Sequence, residues 1–338
     1  MNNKKGNTGL KNLGNSCFLN SCLQILKKVY ELTNILKHAI QNDIVDTIVL
    51  TEWVRLEKDL WADNTIISPN RFVSGVQFVS LKKKMHLFTG KSQNDMSEFL
   101  LFMIDCFHNS ISRPVNITIK GIQLNDTDQK ATICYKMIKE QYEKEYSEIM
   151  DVFYAIYLSE ICTIDKLHIL SIKPEPYFIL DLPIPKVDKI VSLADCFDEL
   201  TKGELLDGDN SWYNERIKKY QCVHKKLSFW SFPKILVITF KRFSPCGSKK
   251  LDKFVDFPLH NLDLSKYVTG YNAQKYVYDL FGVCNHFGGI DCGHYTSYTQ
   301  NNNNEWIHYN DELCNQILNE DVVSKSAYCL FYRMRNNL

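Results

Sequence analysis

GLKNLGNSCFLNSCLQIL, residues 9–26, decides how this chain is read. Gly9, Lys11, Asn12, Gly14, Asn15 and Ser16 are loop and helix-entry residues. From Phe18 onward the apolar positions are Phe18, Leu19, Cys22, Leu23, Ile25, Leu26 and Val29, which is helical spacing. Cys17 therefore stands at or beside the first turn of a helix, with Asn15 or Ser16 as N-cap. Unpaired N–H groups and the positive helix end favour a thiolate there, and a lowered pKa makes a cysteine nucleophilic. A cysteine packed as a small apolar filler fits the same place. On this stretch alone both readings stand.

Two distant stretches bear on the choice. In CNHFGGIDCGHYTSY, residues 284–298, His294 lies between a glycine-rich loop and an alternating run that reads as a strand. In EWIHYNDELC, residues 305–314, Asn310 and Asp311 follow a short aromatic strand. A thiol at a helix start, a downstream histidine and an Asn or Asp to orient it are the parts of a papain-like cysteine hydrolase. GLKNLGNSCFLN, SQNDMSEFLLFMID, FPKILVITFKRF, GHYTSY and WIHYND resemble, in order, the sequence boxes of the ubiquitin-specific proteases, and they span residues 9–311.

The resemblance implies an α+β, papain-like cysteine protease fold. It would have an α-rich lobe over roughly 9–150, a β-rich lobe over roughly 151–335, and a β finger extension. It implies a deubiquitinating thiol protease that cleaves after the terminal glycine of ubiquitin. The catalytic residues would be Cys17, His294 and Asn310, with Asn12 as oxyanion donor and Asp311 and Gln93 in support. Asp95, Glu98, Phe287, Gly293 and Tyr295 would line the channel for ubiquitin's basic tail. Asp95 and Glu98 are also explained by simple capping, since carboxylates are favoured in a first helical turn. Two other readings remain: a ubiquitin-binding pseudoenzyme, and a protease for a ubiquitin-like modifier.

Composition sets the bounds. A chain of 338 residues with 45% hydrophobic content fits one large or two-lobed domain. A net charge of +1, from 40 basic and 39 acidic residues, argues against a nucleic-acid binder. There is no run of 18 apolar residues to span a membrane. MNNKKGNTGL lacks the apolar core of a secretory signal, and residues 1–8 read as a disordered polar lead. The twelve cysteines are then expected as free thiols in a reducing compartment, cytoplasm or nucleus. Ubiquitin or ubiquitinated proteins are the expected partners, the protein is expected to be a monomer, and no cofactor is expected.

Along the chain, residues 16–41 read as one helix, or two with a break near Thr33–Asn34. A helix over 42–62 follows, entered at Asn42 or Asp43, and Ser68-Pro69 opens another element. SQNDMSEFLLFMIDCFH, 92–108, is a helix with a core face of Met96, Phe99, Leu100, Met103, Ile104 and Phe107. Residues 109–130 read as a surface insertion and 131–158 as a charged helix running into a strand. PYFILDLPIP at 176–185 reads as one strand and PKILVITFKRFS at 233–244 as a buried one.

Metal is not expected. Zinc at the tip of such a finger requires two C-x-x-C pairs as soft tetrahedral ligands. Here Cys162 is followed three residues later by Asp165, and Cys222 has no partner. A site from Cys162, Asp165, Cys222 and His224 would match no usual knuckle.

Overall fold

The computed structural model describes residues 6–62, 65–243, 250–289 and 292–335. The first half is helical: α1 (Cys17–Leu26), α2 (Tyr30–His38), α3 (Thr47–Leu60), α4 (Asn70–Lys82), α5 (Met96–Ile111), α6 (Asp126–Tyr142) and the short α7 (Met150–Phe153). Two-residue strands β1 (Gly9–Leu10) and β2 (Ile66–Ile67) pair in parallel beside it. All ten residues of α1 are buried, Asn20 and Gln24 included, because this helix lies between the other helices and a sheet.

The second half begins with β3 (Ala155–Cys162), β4 (Ile169–Tyr177), β5 (Ile179–Leu182), β6 (Val191–Ser192), α8 (Leu193–Thr201) and β7 (Glu204–Leu206). The hairpin β8 (Trp212–Asn214) and β9 (Lys219–Gln221) leads into β10 (Val223–Phe229) and β11 (Ile235–Phe240). Short strands β12 (Val255–Asp256) and β13 (Leu262–Asp263) precede β14 (Val277–Gly288), β15 (Gly293–Gln300), β16 (Trp306–Asn310), β17 (Leu313–Ile317) and β18 (Ala327–Met334).

Two sheets matter for the site. The finger sheet runs β4-β3-β10-β7 and is antiparallel. The palm sheet runs β17-β16-β15-β14-β18-β11-β5, with β13 on β14. All six residues of β11 are buried because both faces of this sheet are covered. Ile235 and Val237 face the helices, while Leu236, Ile238 and Phe240 face a second core with Val283, Leu330 and Tyr332. Helix α6 lies on the finger sheet, where Lys130 pairs with the buried Glu160 of β3 at 2.6 Å. Among the described residues no helix is long and apolar enough to cross a membrane.

Several boundaries differ from the sequence reading. The break between α1 and α2 falls at residues 27–29, where buried Lys27 turns its Nζ onto the Gly6 carbonyl at 2.7 Å. The disordered lead is not seen at residues 6–8, since Gly6 and Thr8 are buried; residues 1–5 lie outside the described residues. Helix α3 starts at Thr47 because Asn42 is drawn to the end of α5, donating to the Asn109 and Ser112 carbonyls, both at 2.9 Å. The charged helix starts at Asp126, fixed by a capping box between Asn125 and Asp128. Residues 176–185 divide at buried Phe178, where the chain leaves the finger sheet for the palm.

Candidate active site

The site is built from the loop before α1, the loop before α5, and the ends of β14, β15 and β16. Gly14 (φ 99) and Asn15 (φ 55) are both left-handed and turn the chain sharply before the helix. The Asn12 side-chain oxygen accepts from the N–H groups of Gly14 at 3.0 Å and Ser16 at 3.1 Å. Ser16 is the N-cap residue, yet its hydroxyl accepts from Leu13 at 2.8 Å and does not cap the helix. The amides of Cys17 and Phe18 therefore remain to act on the Cys17 thiol, and the Tyr295 amide acts on it in the same sense.

These amides pull the thiol pKa down, but burial pushes it up more, and the Asp311 carboxylate pushes the same way. The net direction is upward, so the lowered pKa expected from the helix start alone is not realised here. Cys17 is only 4% exposed, and the loss of hydration outweighs a few partial charges.

His294 is the second residue of β15, half-buried, and its Nε2 lies 2.7 Å from Asn310 Oδ1 at the end of β16. Since that oxygen only accepts, Nε2 carries a hydrogen, which leaves Nδ1 as the nitrogen that can exchange a proton. Asp311 leaves the strand with φ 49. It turns into the loop before α1, taking the Asn12 amide on Oδ2 at 2.9 Å and the Asn20 amide on Oδ1 at 2.8 Å.

On the other side of His294, Gln93 accepts from the Gly293 N–H at 2.9 Å. Asp95 is the N-cap of α5, accepting from the N–H groups of Ser97 at 2.7 Å and Glu98 at 3.2 Å. It also accepts from the hydroxyls of Tyr295 at 3.2 Å and Tyr328 at 2.5 Å. Glu98 is exposed, with its pKa raised by partial burial and by Asp95. Phe287, 45% exposed, pairs with His294 across β14 and β15. Gly293 has no room for a side chain, since a Cβ would come within 2.2 Å of His286 Nε2.

Sequence reasoning did not single out Asn20 or Tyr328, and His286 stood in it only as a disfavoured metal ligand with Cys284, Cys292 and His294. Asn20 carried a faint signal, a polar residue one turn after Cys17 in an apolar helix. Tyr328 lies in an ordinary alternating strand and carried none. In the finger, Cys162 stands opposite His224 on adjacent strands and Cys222 is exposed. Among the described residues no three His, Cys, Asp or Glu side chains converge as a metal site.

A thiol at the start of a helix packed on the strand that carries a histidine bonded to an asparagine, between a helical lobe and a sheet, is a papain-like architecture. The chain belongs to the ubiquitin carboxyl-terminal hydrolase family, whose profile matches residues 8–332. It is similar to ubiquitin carboxyl-terminal hydrolase 2 of Bos taurus, 34% identical over 352 residues, covering 99% of this chain and 56% of the relative. The corresponding protein of Gallus gallus is 34% identical over 348 residues, covering 98% of this chain and 94% of that one. This chain thus spans little more than half the length of the Bos taurus relative. In fold it resembles the SAGA Ubp8/Sgf11/Sus1/Sgf73 deubiquitinating module bound to ubiquitin aldehyde, with a TM-score of 0.74 at 24% identity, covering 99% of this chain and 71% of that one.

Proposed function

We propose that this chain is a deubiquitinating cysteine protease that hydrolyses the isopeptide or peptide bond at the C-terminal glycine of ubiquitin through a thioester. The observation that carries the reading is His294 Nε2 fixed at 2.7 Å on Asn310 Oδ1, on a strand whose next amide, that of Tyr295, works against burial to lower the pKa of the Cys17 thiol. His294 Nδ1 takes the thiol proton and the sulfur attacks the carbonyl. One N–H of the Asn12 amide is engaged by Asp311, and the other is left to bind the oxyanion. His294 then protonates the leaving amine, and water clears the thioester. Asn310 orients the ring without adding a charge.

Glu98, exposed in the first turn of α5, and Phe287, exposed next to Gly288, are the residues we assign to the ubiquitin tail. The carboxylate suits the basic residues of that tail, and the glycines permit close backbone approach. Asp95 has a weaker claim as a direct contact, because both its oxygens are already engaged. We place the activity in a reducing compartment, cytoplasm or nucleus, supported by eleven described cysteines that are all free.

Ubiquitin bearing a C-terminal electrophile tests the reading. A covalent adduct on Cys17 is expected. Tight binding without an adduct would indicate a pseudoenzyme. An adduct formed only with a ubiquitin-like modifier would replace the substrate.

A further inference from the structure

We propose that Tyr328 is a positioning residue for the reaction, closing with Asp95 and Tyr295 a tie between α5 and the palm sheet that sets where His294 stands relative to Cys17. The proposal rests on the reading of Cys17 and His294 as the reacting pair. Cys17 belongs to the helical half and His294 to the palm, so their separation depends on what holds α1 and α5 against β15. The loop before α5 grips β15 on both sides of His294. Gln93 accepts from the Gly293 N–H at 2.9 Å, and Asp95 accepts from the Tyr295 hydroxyl at 3.2 Å. Tyr295 stands on β15, the strand against which α1 packs, and its amide bears on the Cys17 thiol.

Tyr328 makes the shorter bond to the same Asp95 oxygen, at 2.5 Å from the neighbouring part of β18. A short O–H bond to a carboxylate is among the stronger hydrogen bonds. The other Asp95 oxygen is held by the first turn of α5, including the Ser97 hydroxyl. The carboxylate is thus saturated by the protein's own donors, as suits a tie more than a free substrate contact. Both tyrosines are 7% exposed and pack with their rings 5.9 Å apart, and His286 lies against both, at 4.6 Å from Tyr295 and 5.9 Å from Tyr328. Without the Tyr328 hydroxyl, Asp95 keeps one phenol at 3.2 Å and its half-buried oxygen loses the shorter of its two bonds. It is then free to turn away, and β15 loses part of its anchor beside His294.

Tyr328→Phe keeps the ring and removes only the donor. Three measurements separate the roles: the rate at which iodoacetamide alkylates Cys17 without ubiquitin, read on the Cys17 peptide; kcat and KM on a ubiquitin C-terminal fluorogenic amide; and ubiquitin affinity in a Cys17→Ala background. The tie predicts that alkylation and kcat fall together by at least about fivefold, with KM and affinity within about twofold of the parent. Tyr295→Phe should do the same to a smaller extent, because its bond is longer, and serves if Tyr328→Phe does not fold. Unchanged alkylation in both variants overturns the proposal, whether affinity falls, which makes the cluster a tail subsite, or only thermal stability falls, which makes it packing. If the parent protein hydrolyses no ubiquitin substrate, the functional reading fails, while the alkylation comparison still judges the tie.

Discussion

The Asn12 side-chain amide donates to the Asp311 carboxylate at 2.9 Å across 299 positions of sequence. The second oxygen of the same carboxylate holds Asn20, one turn past Cys17 on α1. Asp311 thus locks the proposed oxyanion donor to the helix that carries the thiol, while Asn310 serves the histidine. Asn12→Ala should lower kcat by roughly 10²–10³ if that amide binds the oxyanion. Asp311→Ala should act through the same group, so the double variant should cost little more than Asn12→Ala alone. Fully additive losses in kcat would show that Asp311 works elsewhere, and a loss below about threefold for Asn12→Ala would remove its role.

Cys17 is expected to be the sole nucleophile. Cys17→Ala should abolish turnover and keep ubiquitin binding, because Glu98, Phe287 and the glycine loop are untouched. Mass spectrometry of the probe-labelled protein decides this. Labelling at exposed Cys292, or substantial hydrolysis by Cys17→Ala, contradicts it.

The free enzyme should show a mostly protonated Cys17 at neutral pH. Burial raises its pKa above 9.0, the ordinary value, and the opposing amides do not reverse that. Alkylation of Cys17 should therefore keep rising as pH passes 9.0. A plateau already reached by about pH 6 would reveal a preformed thiolate–imidazolium pair.

Acid should destabilise the fold through His286. Burial, reinforced by the positive charge of Lys250, pushes its pKa down to about 4 from 6.5. A folded pKa below the unfolded one means that the neutral ring is favoured by folding. That stability is complete above pH 6.5 and is lost as pH falls toward 4. Burial lowers His108 and His308 in the same direction. Thermal unfolding of the parent and of His286→Gln across this window checks the assignment. The variant should lose less stability on acidification, and parallel curves would rule His286 out as a main contributor.

The finger should hold without metal. Lys130→Ala leaves the buried Glu160 carboxylate with the Ser228 hydroxyl but no countercharge and should cost about 3–5 kcal/mol, read by denaturant unfolding. Protein purified without added zinc should contain no stoichiometric zinc, and a chelator should leave its melting temperature unchanged. One tightly held equivalent, lost together with stability, would show finger ligands that the spacing does not reveal.

The sequence by itself determined the local and periodic features. Helical spacing after Cys17, the core face of α5 and the continuous apolar run of β11 depend on residues close in the chain. Family membership was equally legible, from five boxes standing in order. Boundaries failed where a distant side chain overrode local preference: Lys27 on Gly6, Asn42 on the end of α5, and Phe178 at a change of sheet. In the site, the residue types were legible, and the family resemblance pointed to Asn310 as the neighbour of His294 and to Gln93 as lying near the site. Only the tertiary structure decided that Asp311 clamps Asn12 and Asn20, that Asp95 is occupied by two tyrosines, and that the Cys17 thiol is raised rather than lowered. Each depends on burial and on partners some 200 to 300 positions away, and neither is encoded in the spacing of neighbouring residues.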